Sequence, residues 1–429
     1  MKARAVFLTG GVGLILACLA MARVENLVEA PRVFLILFGA AFACYGAALW
    51  MLPRLGGRHA FVVVLVVAGL ARLALLWAPP TLSTDAYRYV WDARVARASI
   101  SPYAAAPTDA ELAHLRDGAI FPRLNHATWR TIYPPGAQLF FRLVYAVKPD
   151  SVIAMKVALG IAEVATLVVL VSLLRALGMP LLQLTVYAWN PLVLVEVWGS
   201  GHLDALVLLS VVTAVRLAIA DRKTLAAVAL GLGTLVKLYP VALLALSVRG
   251  RGRRPLAAFA LVVVLGYAPL VPLGSRAFGS LFQYVTTAFF NPGLLRTIID
   301  VPVLAMMALL GWVAGASLLG AARPLVDRIV VLIGGFILLS PNIFPWYVLW
   351  LVPFLAVRPS AAWIAFTGTV ALAYTFFLHQ PWAIPTWARV AEFTPLAVGA
   401  GFAMARSVLR KQAAPDAALV SPLARGGRP

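Results

Sequence analysis

AFVVVLVVAGLARLALLWAPPTLSTDAYRYVWDAR, residues Ala60 to Arg94, changes character once, at Pro79 and Pro80. Up to Ala78 it is long and apolar enough to cross a hydrocarbon core, which takes about 20 residues of helix. From Ser83 it turns polar, and it stays so to about Tyr133, the only long polar stretch of the chain. Five of the chain's 16 acidic residues lie there: Asp85, Asp92, Asp109, Glu111 and Asp117. An acid-bearing, aromatic-rich loop hung from a membrane bundle suits a reaction run at the bilayer surface. The reading is therefore a membrane enzyme.

The rest of the chain extends that reading. Hydrophobic residues make up 62% and charged residues 12% of 429, with a mean hydropathy of +0.91, far outside the soluble range. The net charge of +20 is spread through short loops between apolar runs, as the positive-inside bias requires, and not gathered into a nucleic-acid surface. Cys18 and Cys44 both fall inside apolar segments, so no disulfide framework or thiolate metal site is indicated. The N-terminal apolar run is longer than a signal-peptide core and reads as an uncleaved first helix.

An all-α, polytopic bundle of about twelve spans follows. Full-length candidates are residues 5–22, 33–52, 60–78, 151–174, 181–198, 203–220, 256–273, 303–320, 361–378 and 388–405, with shorter ones at 328–341 and 346–357. Segments 134–147 and the two halves of 224–248 are too short or too broken to span. Interrupted helices at membrane depth are tolerated where they line a cavity or are buried in protein, so they point to a site. The basic residues Arg54, Arg58, Arg175, Arg222, Arg249 to Arg254, Arg323, Arg358 and Arg406 to Lys411 fit one face, taken as cytoplasmic. The 79–133 loop, the Gly199–Asp204 turn, the 275–302 loop, the Phe344–Tyr347 turn and His379 to Trp382 then share the outer face. Residues 1–411 are expected to form one integral-membrane domain and 412–429 a disordered cytoplasmic tail.

Several residues of these loops could carry chemistry. Asp85, Arg88 and Asp92 share a face of an interfacial helix. Asp85 is then either a general base or one of the acids pairing with Arg88 and Arg94. His202 and Asp204 follow a glycine-rich turn and suit hydroxyl or phosphate binding, or are simply the polar residues that a turn needs. Lys237 stands inside a broken apolar segment, where an unpaired lysine costs at least about 2.5 kcal/mol. A lipid phosphate, snorkelling, or pairing with Glu196 or Asp204 would each meet that cost. Lys156 and Arg72 read as structural ion-pair candidates. Trp91, Trp129, Tyr133, Trp346, Tyr347 and Trp382 could face a sugar ring. No Walker loop, dinucleotide fingerprint, paired-His metal motif or Asp-x-Asp is present, which argues against a nucleotide donor.

Taken together, Asp85-x-Tyr-Arg-Tyr-x-Trp-Asp-x-Arg-Val, Ser101-Pro102-Tyr103, Asn125-His126, Tyr133-Pro134-Pro135, Asn190-Pro191, Gly201-His202-Leu203-Asp204, Lys237-Leu238-Tyr239-Pro240 and Pro345-Trp346-Tyr347 resemble the bacterial membrane mannosyltransferases. These belong to the GT-C superfamily, with the family-87 and actinobacterial alpha-mannosyltransferase groups the nearest in pattern. Residues 80–350 carry the likeness. Ala93 and Ser99 depart from it where such sequences often have glycine, and Phe344 where they often have histidine.

The resemblance implies transfer of a hexose, mannose first, from a polyprenyl-phosphate donor to a lipid-linked or glycan hydroxyl with inversion. No cofactor, no metal-ligating residues and no nucleic-acid partner are expected. Asp85 matches the first-loop catalytic acid. Lys237, Arg88 and His202 are the candidates for the phosphate, and Asp204 and Asp92 for hydroxyls. Arg94, His126, Tyr133, Trp346 and Tyr347 complete the expected substrate-binding set. The expected place is the cell's inner (plasma) membrane, with both termini cytoplasmic and the site loops extracytoplasmic. The rival class is a transporter or lipid flippase, whose inverted repeats are not seen here.

Overall fold

The computed structural model describes residues 2–248, 252–287, 290–298, 300–318 and 323–418. Among them there is no strand, only an isolated bridge between Pro292 and Asn342. The first three helices, α1 (Lys2–Ala22), α2 (Pro31–Met51) and α3 (Arg58–Leu76), pack side by side. The chain then leaves the bundle for α4 (Asp85–Arg97), re-enters as α5 (Pro135–Val147), and crosses again as α6 (Val152–Ala176).

Five helices are long and apolar enough to cross a membrane, and a bent pair makes a sixth candidate. That count covers only the described residues and helices of at least 18 residues; shorter apolar helices such as Asp204–Ile219 and Pro302–Leu318 stand at other expected spans, and one expected span is broken. The segment expected as one span over 181–198 is two pieces, Leu181–Ala188 and Pro191–Gly199, bent by 52°. Pro191 has no N–H and cannot continue the helix, and the Asn190 side chain caps the new start by accepting from the Leu192 N–H at 3.0 Å. Other helices satisfy the carbonyls that the break frees. Tyr45 of α2 donates to the Val186 carbonyl (2.8 Å), and Arg72 of α3 donates to the Ala188 carbonyl (2.8 Å). This is how broken backbone survives in a membrane interior.

Arg72 has a second task. Its guanidinium forks onto Glu163 of α6 at 2.8 and 2.6 Å, and the Trp198 indole donates to the same carboxylate at 3.1 Å. Both charges are buried, so the pair is a polar lock between α3, α6 and the bent segment. Lys156 does not form the ion pair expected of it. Its ammonium donates instead to the carbonyls of Leu75 (3.3 Å) and Ala78 (2.5 Å), closing the C-terminal end of α3.

The other broken segment runs from Lys223–Thr234 through a short turn to Tyr239–Leu243. The freed Leu235 carbonyl accepts N–H groups from Gly136 (2.8 Å) and Ala137 (3.2 Å) at the start of α5. A side chain at Gly136 would lie 2.8 Å from that oxygen, so only glycine lets the two backbones meet. Two of the short, non-spanning segments thus plug one another.

The loops separate into two ends. At one end Arg58, Arg175 and Leu181 line a single open cleft, and Arg358 pairs with Asp327. At the other, Leu27 donates to Thr81 (3.0 Å), Ser280 donates to the Thr131 carbonyl (3.3 Å), and Phe290 stacks on Phe344. The final helix extends to Ala418, and the remainder of the expected tail, 419–429, lies outside the described residues.

Candidate active site

The polar stretch folds as a cap whose spine is α4. Its C-terminal end is a Schellman closure: Ile100 donates to the Val95 carbonyl (3.2 Å) and Ser99 to the Ala96 carbonyl (3.1 Å), with Ser99 at φ +63°. From there the loop runs out and back over the helix. Arg88 draws it in, donating through Nε to Asp92 (2.8 Å) and through its terminal nitrogens to the carbonyls of His126 (3.4 Å) and Trp129 (2.8 Å). Asp92 takes a second bond from Gln138 of α5 (2.8 Å), whose amide also reaches Thr131 (2.8 Å).

Arg94 does the same at the rim, holding Asp150 (2.8 Å), Asp117 (2.6 Å) and the Leu115 carbonyl (3.0 Å). Partial burial works against the Asp117 carboxylate. The Arg94 bond and the N–H groups of Ile120 and Phe121 overcome it and hold the acid well below its usual range. Arg88, Asp92 and Arg94 were expected to touch substrate. In the structure each guanidinium nitrogen and both Asp92 oxygens have a partner within the cap or on the neighbouring helices, so these residues clasp the loop.

Asp85 is placed differently. It is the first residue of α4, where the helix N-terminus favours a negative charge. One carboxylate oxygen accepts from Asn125 at 2.6 Å, and the other stands 3.7 Å from Nδ1 of His202. Its side chain keeps 19% of its exposure, whereas His202 keeps 1%. His126, beside Asn125, stacks on Trp129 with ring centres 4.2 Å apart. Burial lowers its pKa, the Asp85 carboxylate opposes that shift and Arg88 adds to it, so the ring is held below the ordinary imidazole range.

The Gly199–Asp204 turn joins this cluster. Gly201, at φ +75°, lies against Lys156 and Ala86, a close approach that a side chain would obstruct. His202 stacks on Trp346 (4.0 Å) with its Nε2 3.3 Å from Glu196. Two residues on, Asp204 is fully buried and accepts from Lys237 (2.7 Å) and from the Trp350 indole (2.6 Å). Of the three ways sequence offered to meet the cost of Lys237, the structure shows pairing with Asp204. The Lys237 ammonium also lies over the Tyr347 and Trp350 rings (5.4 and 5.9 Å), and its side chain keeps 19% exposure. Tyr347 meets Tyr284 hydroxyl to hydroxyl at 3.1 Å. Tyr133 packs edge-on against Tyr89 beneath the cap.

Asn125, Glu196, Trp350 and Tyr374 belong to this constellation and stood outside the set chosen from sequence. Asn125 had a signal, since the Asn125-His126 pair sits in the acid-bearing loop. Trp350 had none, because an indole in an apolar run becomes an Asp204 donor only once two distant helices pack.

Apolar helices are topped by a clasped polar cap, with a partly open carboxylate and a partly open ammonium beneath it. Residues 4–250 match the family described as alpha-(1→6)-mannopyranosyltransferase, N-terminal domain, and the chain belongs to that family. It is a membrane glycosyltransferase of mannosyl type. The matched span contains Asp85, Asn125, Glu196, His202, Asp204 and Lys237. No curated protein matches the chain.

Proposed function

We propose that the protein transfers mannose from a polyprenyl-phosphate donor to a mannoside or lipid-linked hydroxyl, with inversion, using Asp85 as general base. The observation that carries this reading is selective access. Glu196, His202 and Asp204 have side chains at 0–1% exposure, whereas Asp85 and Lys237 each keep 19%. The two open groups are the two that the reaction needs. Asp85 takes the proton of the acceptor hydroxyl as its oxygen bonds to the anomeric carbon. The bond from that carbon to the phosphate breaks, and its electron pair leaves with the phosphate. Lys237, with one proton on Asp204 and others free, meets the charge that builds on that leaving group. Trp346 and Tyr347 stand beside these groups, with their ring faces stacked by His202, Phe344 and Trp350 and met by Lys237. The site end of the bundle faces away from the cytoplasm, with the basic loops at the other end inside.

Purified protein given polyprenyl-phosphate mannose and an alkyl α-mannoside should yield a longer mannoside by mass spectrometry. Polyprenyl-phosphate glucose should serve less well, and GDP-mannose not at all. Transfer from GDP-mannose alone by the purified protein would overturn the donor assignment. A β-linked donor should give an α-linked product, read by the anomeric proton couplings.

A further inference from the structure

Behind Asp85 lies a row of buried groups that neither donor binding nor the base itself employs. From Asp85 Oδ2 the row passes to His202 Nδ1 (3.7 Å), from His202 Nε2 to Glu196 Oε2 (3.3 Å), and from Glu196 Oε1 to the Tyr374 hydroxyl, which donates at 2.9 Å. His202 and Glu196 are completely buried, and neither ring nitrogen nor Glu196 Oε2 has a well-aligned hydrogen bond among the described residues. Unsatisfied buried polar atoms are costly and rare, so three in one row need a reason. The backbone gives a second, independent sign. Glu196 sits in a π-helical turn, Leu194–Gly199, and the His202 N–H returns to the Glu196 carbonyl at 3.0 Å. Such wide turns are uncommon and gather at functional sites. They hold side chains where a regular helix would not.

A phosphate ligand is excluded by the surroundings, since the imidazole edges face two carboxylates and an anion there would be repelled by both. We infer that His202, backed by Glu196 and Tyr374, is a positioning residue that orients Asp85 and receives the proton Asp85 has taken. The inference rests on Asp85 being the base. In the step, the acceptor O–H breaks and its proton moves to Asp85 Oδ2. The proton then passes to the Nδ1 lone pair of His202, leaving Asp85 ionised again. The imidazolium so formed lies between two carboxylates, with Trp346 stacked on its face. On product release the proton returns through Asp85, the exposed end of the row, to the departing phosphate or to water, so the cycle closes without another reactant.

The test uses polyprenyl-phosphate mannose with an alkyl α-mannoside and compares His202→Gln, Glu196→Gln and the double variant, with melting temperature as the folding control. His202→Gln and Glu196→Gln should each lower kcat by about 10- to 100-fold with donor KM unchanged, the scale for losing a group that orients another. Their effects should not add, because both act through one imidazole. If His202→Gln fails to fold, Glu196→Gln and the rescue of its kcat by Glu196→Asp decide. Wild-type kcat in a folded single variant, a raised donor KM at constant kcat, or additive losses would each overturn the relay. Inactive Asp85→Asn beside fully active His202→Gln removes the relay and leaves the base in place, whereas active Asp85→Asn removes both.

Discussion

Asp85 and Asp92 share one short helix, and their surroundings assign them different work. Asp85 has one oxygen on a neutral amide and an open side, so it is free to exchange a proton. Asp92 is shut in, with both oxygens engaged by Arg88 and Gln138. Asp85→Asn should therefore keep the melting temperature and lose about 10²- to 10⁴-fold in kcat, the range for removing a general base. Asp92→Asn should show first in thermal denaturation, with a loss on the order of 3 kcal/mol, the scale for stripping one partner from a buried pair. A stable, fully active Asp92→Asn would show that the clasp is dispensable.

Lys237 joins the residue scale to the next, because its place depends on a broken helix. Pairing with Asp204 stabilises it without occupying all its protons, so both the structural and the ligand roles can be read from one set of variants. Lys237→Gln should lower the melting temperature and raise donor KM together. Adding Asp204→Asn should restore much of the stability, since no uncompensated buried carboxylate is left, and should not restore donor KM. Recovery of both would make the lysine purely structural.

At the scale of elements, helix ends decide the shape of the cap. Ser99 occupies the left-handed position of the α4 closure, exposed and at φ +63°. An L side chain costs roughly 1 kcal/mol there that glycine avoids. Ser99→Gly should raise the denaturation midpoint by about that free energy and leave donor KM unchanged. A lower midpoint would mean that the serine contributes something the backbone does not require. The Gly136–Leu235 contact works in the same way between elements. Two interrupted segments, each unable to span alone, complete each other's hydrogen bonds.

For the whole molecule, we propose from the charge pattern that the basic loops face the cytoplasm. Thr108→Cys and Ser275→Cys should react with a membrane-impermeant thiol reagent on intact cells, and Gly252→Cys should react only after the cells are opened. Labelling of Gly252→Cys from outside would invert the assignment.

The sequence by itself determined the class of fold, the existence of a polar cap and the break within 224–248, and it nominated Asp85 as the candidate acid. Those features are local: apolar length, proline and glycine placement, and the bias of basic residues can all be read along the chain. Which charges are spent and which remain open was decided only by the tertiary structure. Arg88 and Asp204 read alike as polar residues near a turn, yet one clasps a loop and the other neutralises Lys237, because their partners come from segments far away in sequence. The row from Asp85 to Tyr374 draws on three stretches of chain far apart in sequence, and the bend at Pro191 came to light only in the packed structure. Apolar length measures what a segment could cross, but where helices pack around buried charge the chain is bent and broken to satisfy its backbone, and only packing shows where.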